Sequence, residues 1–318
     1  MSNFLTYEIF KFNNRFRYLK PENNIIISAY PRGGSTWLEN ILSNIIKRSI
    51  TYYEPLNLTI NHDLKNFNFS WRQFIPESES WPEVEDYFNN MFNGKNLKRY
   101  LIQHPNSTYR SFLDFAFPKT IIYKFCRLNL MLPWIVNNFH TKPPILLVRH
   151  PCAIIASQIE FGRKYGSGYA DIGSIFTYPE CPYNDFYYKY SYILDKVDNP
   201  IKNLAAWWCL SHIVPLNHKK NNVSWTTVFF EDLLTDPIEC LQLITKSLSL
   251  NESTELALKK YHLPSRTSIN DKNEIDPLVQ LRKWKISLST TEIKDIIGIL
   301  DQFELSNYYD DSVLPIKS

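Results

Sequence analysis

Four short apolar runs, separated by helical patterns, constrain this chain more than any other feature. They are Asn24–Tyr30 (NIIISAY), Thr120–Phe125 (TIIYKF), Pro144–Arg149 (PILLVR) and Thr226–Phe230 (TTVFF). None alternates apolar and polar residues as a half-exposed strand would, so they read as strands buried on both faces, the condition of a parallel sheet covered by helices. Between them, Trp37–Lys47, Ile201–His218, Pro237–Leu248 and Thr291–Phe303 carry apolar residues at helical spacing. Strands alternating with helices predict an α/β fold in three layers, a central parallel sheet flanked by helices. No repeat or low-complexity linker divides the chain, so residues 1–318 read as a single domain. Residues 52–110 are expected to be an acceptor-side insertion, because residues 63–100 are polar and aromatic without a clear period and read as an insertion with short helices.

Glycine is scarce, and this makes each one informative. Eight occur in 318 residues, where ordinary usage of about 7% would give roughly 22. Two are adjacent, Gly33 and Gly34, directly after the first strand. Four more crowd into Gly162, Gly166, Gly168 and Gly173, and predict a lid loop over residues 162–185, although a plain surface loop has the same composition.

The first pair lies in Tyr30-Pro31-Arg32-Gly33-Gly34-Ser35-Thr36-Trp37, between a strand and a helix. Such a junction cradles an anion: glycines let backbone N–H groups point inward, and the helix N-terminus adds partial positive charge. Ser35 and Thr36 bring hydroxyl donors, and Arg32 brings a permanent charge that can fork onto phosphate or sulfate oxygens. The plainer reading is a tight turn with Ser35 as helix N-cap. The spacing GxxxxGK[ST] of a nucleoside-triphosphate loop is absent.

This segment resembles the 5′-phosphosulfate loop, YPKSGTTW, of sulfotransferases that use 3′-phosphoadenosine 5′-phosphosulfate (PAPS). Arg32 stands for the family's Lys and Gly33 for its Ser; arginine there is also found in the Golgi carbohydrate branch. The resemblance implies a P-loop-containing, sulfotransferase-like nucleotide-binding fold, PAPS as donor and PAP as product. It also implies that Arg32, Gly33, Gly34, Ser35 and Thr36 bind the donor, with Trp37 against the adenine. The family's 3′-phosphate signature is an Arg ending a strand and a Ser eight residues on. Arg149 and Ser157 match that spacing, and Pro151 suits a first helical turn. Phe229–Pro237 is similar to the family's YEDL…DP segment, with Phe230 in the place of the Tyr near the adenine. Trp284-Lys285 resembles its late W-K element. The RKG element is missing, and Arg282 and Lys283 are the available substitutes.

The family's cytosolic members take a catalytic His from K-T-H-L-P. Here the equivalent stretch runs from Lys124-Phe125-Cys126-Arg127 to Pro133 without a His, and Lys124-x-x-Arg127 instead resembles the carbohydrate branch. Lys260–Pro264 imitates the missing motif, but His262 comes far too late in chain order. Glu54, before Pro55, resembles an E-P element near the acceptor and is the expected base. The proline should hold it in extended backbone, and partial burial should raise its pKa. His62 and His104 are reserve bases. Arg32, Glu54 and Lys124 are thus the expected catalytic residues.

A net charge of +3 argues against nucleic acid as partner yet leaves room for a basic pocket that takes a small anion. Five dispersed cysteines show no zinc spacing, and no metal is expected. With no leader pattern and no apolar run long enough to span a bilayer, a cytoplasmic protein without membrane association is expected. The expected reaction is sulfuryl transfer to a hydroxyl, or an amine, of a carbohydrate or other polar small molecule. A small-molecule kinase and a catalytically inactive nucleotide-binding module are the alternatives. Oligomeric state has no signature in the sequence.

Overall fold

The computed structural model describes residue 8 and residues 19–103, 117–166, 172–250 and 277–316. Its sheet has six strands: β1 (Ile25–Ala29), β2 (Ser49–Tyr53), β3 (Ile102–Gln103), β4 (Thr120–Phe125), β5 (Ile145–Val148) and β6 (Thr226–Phe229). Their order is β3-β2-β4-β1-β5-β6. Five run parallel, and the two-residue β3 closes the β2 edge antiparallel. The main helices are α1 (Ser35–Ile45), α2 (Pro82–Phe92), α3 (Leu132–Asn138), α4 (Pro151–Tyr165), α5 (Pro200–Asn217), α6 (Phe230–Thr235), α7 (Pro237–Ser247), α8 (Pro277–Ser287) and α9 (Thr290–Gln302).

Strand β1 shows why the apolar runs are continuous. Ile25, Ile27 and Ala29 join a core with Leu38, Ile41, Leu42 and Ile45 of α1, while Ile26 and Tyr30 enter the larger core on the opposite face. The period-2 alternation is present but links two apolar layers instead of apolar and wet ones. Each fully buried isoleucine contributes roughly 2 kcal/mol of transfer free energy. The chain leaves β1 through α1 for β2 on one side, and later leaves β4 through α3 for β5 on the other. The C-terminal end of β1 is therefore a topological switch point, where α/β sheets open a crevice.

One expectation needs correction. Residues 52–103, the described part of the expected insertion 52–110, begin inside β2, and α2, one of the short helices expected there, buries Val84, Tyr87, Phe88, Met91 and Phe92 in the main core. Those five residues recur at helical spacing. Segment 162–185 is not one loop, since α4 continues to Tyr165 and ends at Gly166, with a φ of 58°. Beyond residues 167–171, which lie outside the described residues together with Gly168, the chain is anchored. Asn203 donates to the carbonyls of Gly173 (2.7 Å) and Ile175 (3.1 Å), and Phe176 packs on Trp207.

Candidate active site

Parallel strands end on one side of the sheet, and the residue that follows each strand falls along a single rim. After β1 comes Tyr30, after β2 Glu54, after β4 Cys126 and Arg127, after β5 Arg149, and after β6 Phe230. Strand β2, unrecognised in the sequence among its Ser, Thr and Tyr residues, is what brings Glu54 to this rim.

The loop after β1 is a tight turn, with the Gly33 N–H donating to the Tyr30 carbonyl at 2.8 Å. Arg32 takes a left-handed backbone, φ 71°, and Gly34 does so at 94°. Gly34 is itself the N-cap of α1, and no side chain caps the helix, so Ser35 starts the helix instead of capping it. That leaves the first-turn N–H groups and the Ser35 and Thr36 hydroxyls at a helix terminus with partial positive charge. A Cβ on Gly34 would lie 2.5 Å from the Phe230 ring, so the loop and α6 meet at a distance that only glycine allows.

The second anchor folds onto the first. Arg32 Nε donates to Ser157 Oγ at 3.1 Å, and Arg149 Nη1 donates to the Arg32 carbonyl at 3.0 Å. The Arg149 guanidinium lies 4.6 Å from the centre of the Phe230 ring, and Trp37 meets that ring edge-on at 5.7 Å. Trp37 is therefore both a core residue and part of this wall. Arg149 Nε is buried without a hydrogen-bond partner. Burial, reinforced by Arg32 and opposed by Glu231, pulls the Arg149 pKa down from its ordinary value. Glu231 in turn accepts from the His150 N–H at 2.9 Å and the Tyr309 hydroxyl at 2.8 Å, fixing the β5–α4 junction that carries Arg149. Arg32, Gly33, Gly34, Ser35, Thr36, Trp37, Arg149, Ser157 and Phe230 thus converge. Arg282 is exposed on α8, and no described contact joins it to them.

Glu54 departs from expectation in two ways. Its backbone is left-handed, φ 50°, instead of extended, and its N–H donates to the Lys124 carbonyl at 2.8 Å. Its carboxylate accepts from Lys124 Nζ (2.8 Å), the Cys126 N–H (3.1 Å) and Arg127 Nη1 (3.4 Å). Burial pushes its pKa up, but Lys124, Arg127 and the Cys126 N–H outweigh burial and leave it below the ordinary carboxylate value. Burial disfavours the Lys124 cation too, yet its anionic surroundings raise its pKa, and Nζ sits 3.9 Å from the centre of the Tyr53 ring. His62 is exposed, its Nδ1 3.0 Å from the Leu58 carbonyl. His104 and His262 lie outside the described residues.

Arg72 was missed. Its Nη2 donates to the Tyr30 hydroxyl at 3.1 Å and its guanidinium lies 4.0 Å from the Trp207 ring centre. Both partners are remote in sequence, so no local signal existed. Among the described residues no group of three or more His, Cys, Asp or Glu is placed to hold a metal ion, and no helix is long and apolar enough to cross a membrane.

A crevice at the ends of parallel strands, where a glycine loop and a helix N-terminus meet Arg32 and Arg149, marks the candidate site of a three-layer α/β protein. The model of the sulfotransferase domain family matches residues 22–265, and the chain belongs to that family. Solved structures similar to it include the sulfotransferase domain of the Synechococcus PCC 7002 olefin synthase, 20% identical, covering 89% of this chain and 95% of that one with a TM-score of 0.47. The sulfotransferase domain from the curacin biosynthetic pathway is 17% identical, with 89% and 98% covered and a TM-score of 0.45. Mouse sulfotransferase SULT7A1 complexed with PAP is 11% identical, with 94% and 90% covered and a TM-score of 0.46. No curated protein matches the chain.

Proposed function

We propose that this protein transfers a sulfuryl group from PAPS to a hydroxyl, or an amine, of a carbohydrate or other polar small molecule, releasing PAP. The observation that carries the reading is the convergence of the two anchors. Arg32 reaches Ser157 across 125 positions of sequence, while Arg149 holds the Arg32 carbonyl. The residues suit such a donor: Arg149 Nε is a buried donor without a partner, and the Trp37–Phe230 wall offers an aromatic surface beside it. Arg149 and Ser157 would hold the 3′-phosphate, and Arg32, Ser35, Thr36 and the α1 N-terminus the 5′ end. Bound PAPS supplies the sulfuryl group, for in-line displacement by the acceptor oxygen or nitrogen.

Arg32 opposes the negative charge that develops as the donor bond breaks, a role that preorganised cations perform well in a water-poor site. Glu54, ionised at neutral pH, takes the acceptor proton. Both of its oxygens already accept hydrogen bonds, which favours a second role, that of a positioning residue holding Lys124 and Arg127.

Melting curves test the donor. PAP without Mg²⁺ should raise the Tm clearly and ATP should do little. Stabilisation by ATP with Mg²⁺ alone would favour a kinase. Stabilisation by PAP without transfer of labelled sulfate to a broad acceptor panel would favour a binding module.

A further inference from the structure

The donor accounts for Arg32 and Arg149, but not for the cations on the other side of Tyr30. Arg72 is half-buried, pairs with no carboxylate among the described residues, and spends one N–H on the Tyr30 hydroxyl. Its guanidinium lies 4.0 Å from the Trp207 ring centre and 5.7 Å from that of Tyr30. Arg127 lies 4.3 Å from the ring centre of Trp71, the residue next to Arg72 in sequence, and reaches Glu54 only at 3.4 Å. Lys124 has the shorter contact with the same carboxylate, at 2.8 Å. One carboxylate thus serves Lys124 and Arg127 together, and Arg72 has none. The Tyr30 phenol links the group: burial raises its pKa, while the Arg72 and Arg127 charges pull it the other way.

An unneutralised cation cluster beside a reaction site destabilises itself unless an anion completes it. Tyr30 directly precedes the donor loop, so the residue that Arg72 holds is continuous with that loop. A guanidinium held beside an indole leaves its N–H fork for a planar carboxylate. We propose that Arg72, assisted by Arg127, recognises a carboxylate of the acceptor, making the substrate class a hydroxy acid, or an amino acid where the acceptor is an amine. This rests on the sulfotransferase reading above and narrows it.

Calorimetry on the full chain saturated with PAP tests it with matched pairs: glycolate, lactate, para-hydroxybenzoate and glucuronate against their methyl esters. At least one acid should bind tenfold or more tightly than its ester, consistent with the strength of charge-assisted hydrogen bonds. Arg72→Gln should erase that preference, and Arg72→Lys should restore part of it. Equal binding of acids and esters, no binding by any acid, or a preference that survives Arg72→Gln would overturn the inference. The wild-type comparison decides even where a variant fails to fold. Normal PAP binding without acid preference defeats this inference alone; failure of PAP to bind defeats the donor reading beneath it.

Discussion

Lys124 Nζ lies 2.8 Å from Glu54 Oε1, and the two side chains are only 3% and 6% exposed. A buried pair of this kind is costly to break from one side, because the remaining charge stays desolvated.

Glu54→Gln should therefore lower stability by roughly 3 kcal/mol in urea titrations. It should also reduce kcat while leaving PAP affinity largely unchanged. Full activity in that variant would remove Glu54 from the chemistry. The pH profile tests the ionised state that both roles require. Its pKa is depressed below the ordinary 4.5, so its ion-pair stabilisation is complete above that value and is lost as pH falls through the lower folded value. Activity limited by Glu54 as the base should show no acid limb above pH 4.5.

Arg149→Ala should weaken PAP binding by about tenfold to a hundredfold, the range for hydrogen bonds to charged groups. Ser157→Ala should cost less, and Arg32→Ala should abolish transfer of labelled sulfate. Equal PAP affinity in wild type and Arg149→Ala would remove that residue from the donor site.

Gly34 and Gly298 should respond in opposite directions to alanine. At Gly34 the new Cβ meets the Phe230 ring at 2.5 Å on a backbone with φ 94°, so Gly34→Ala should lower Tm and impair PAP binding. A Cβ at Gly298, inside α9, meets nothing within 4 Å. Gly298→Ala should raise stability by about 0.5–1 kcal/mol through helix propensity.

Acid should destabilise the fold through two buried histidines. Burial lowers the pKa of His150 and of His212 to about 4. Both are neutral in the fold, whereas the unfolded chain takes up protons below the ordinary 6.5. Stability should fall as pH drops from 6.5 toward 4, by on the order of 3 kcal/mol per histidine. Glu231, whose pKa is raised chiefly by burial, acts oppositely above 4.5 and moderates the slope. Tm measured against pH should flatten in His212→Phe; an unchanged slope would exclude His212 as a contributor.

Much of this was legible because the signals were local. The runs at Thr120–Phe125 and Pro144–Arg149 announced strands, since burial on both faces leaves no polar alternation. The loop Arg32–Thr36 and the Arg149–Ser157 spacing were readable because each falls at one strand-to-helix junction. Strand β2 was harder, because Ser49 and Thr51 look polar yet are sealed by neighbouring strands. Helix α2 lies in the stretch that read as short helices, but its polar neighbours hid its bounds.

The sequence by itself determined the α/β class and marked two segments, Arg32–Thr36 and Arg149–Ser157, that the fold brings together, with no histidine at the expected base position. Only the tertiary structure decided what surrounds them. Glu54 is depressed in pKa because Lys124 and Arg127, 70 and 73 positions away, close on its carboxylate. Arg72 comes to lie beside the rings of Tyr30 and Trp207, both remote from it in sequence. Backbone turns and helix starts depend on neighbours along the chain, whereas burial and charge depend on neighbours in space, and those are set only when the strands align.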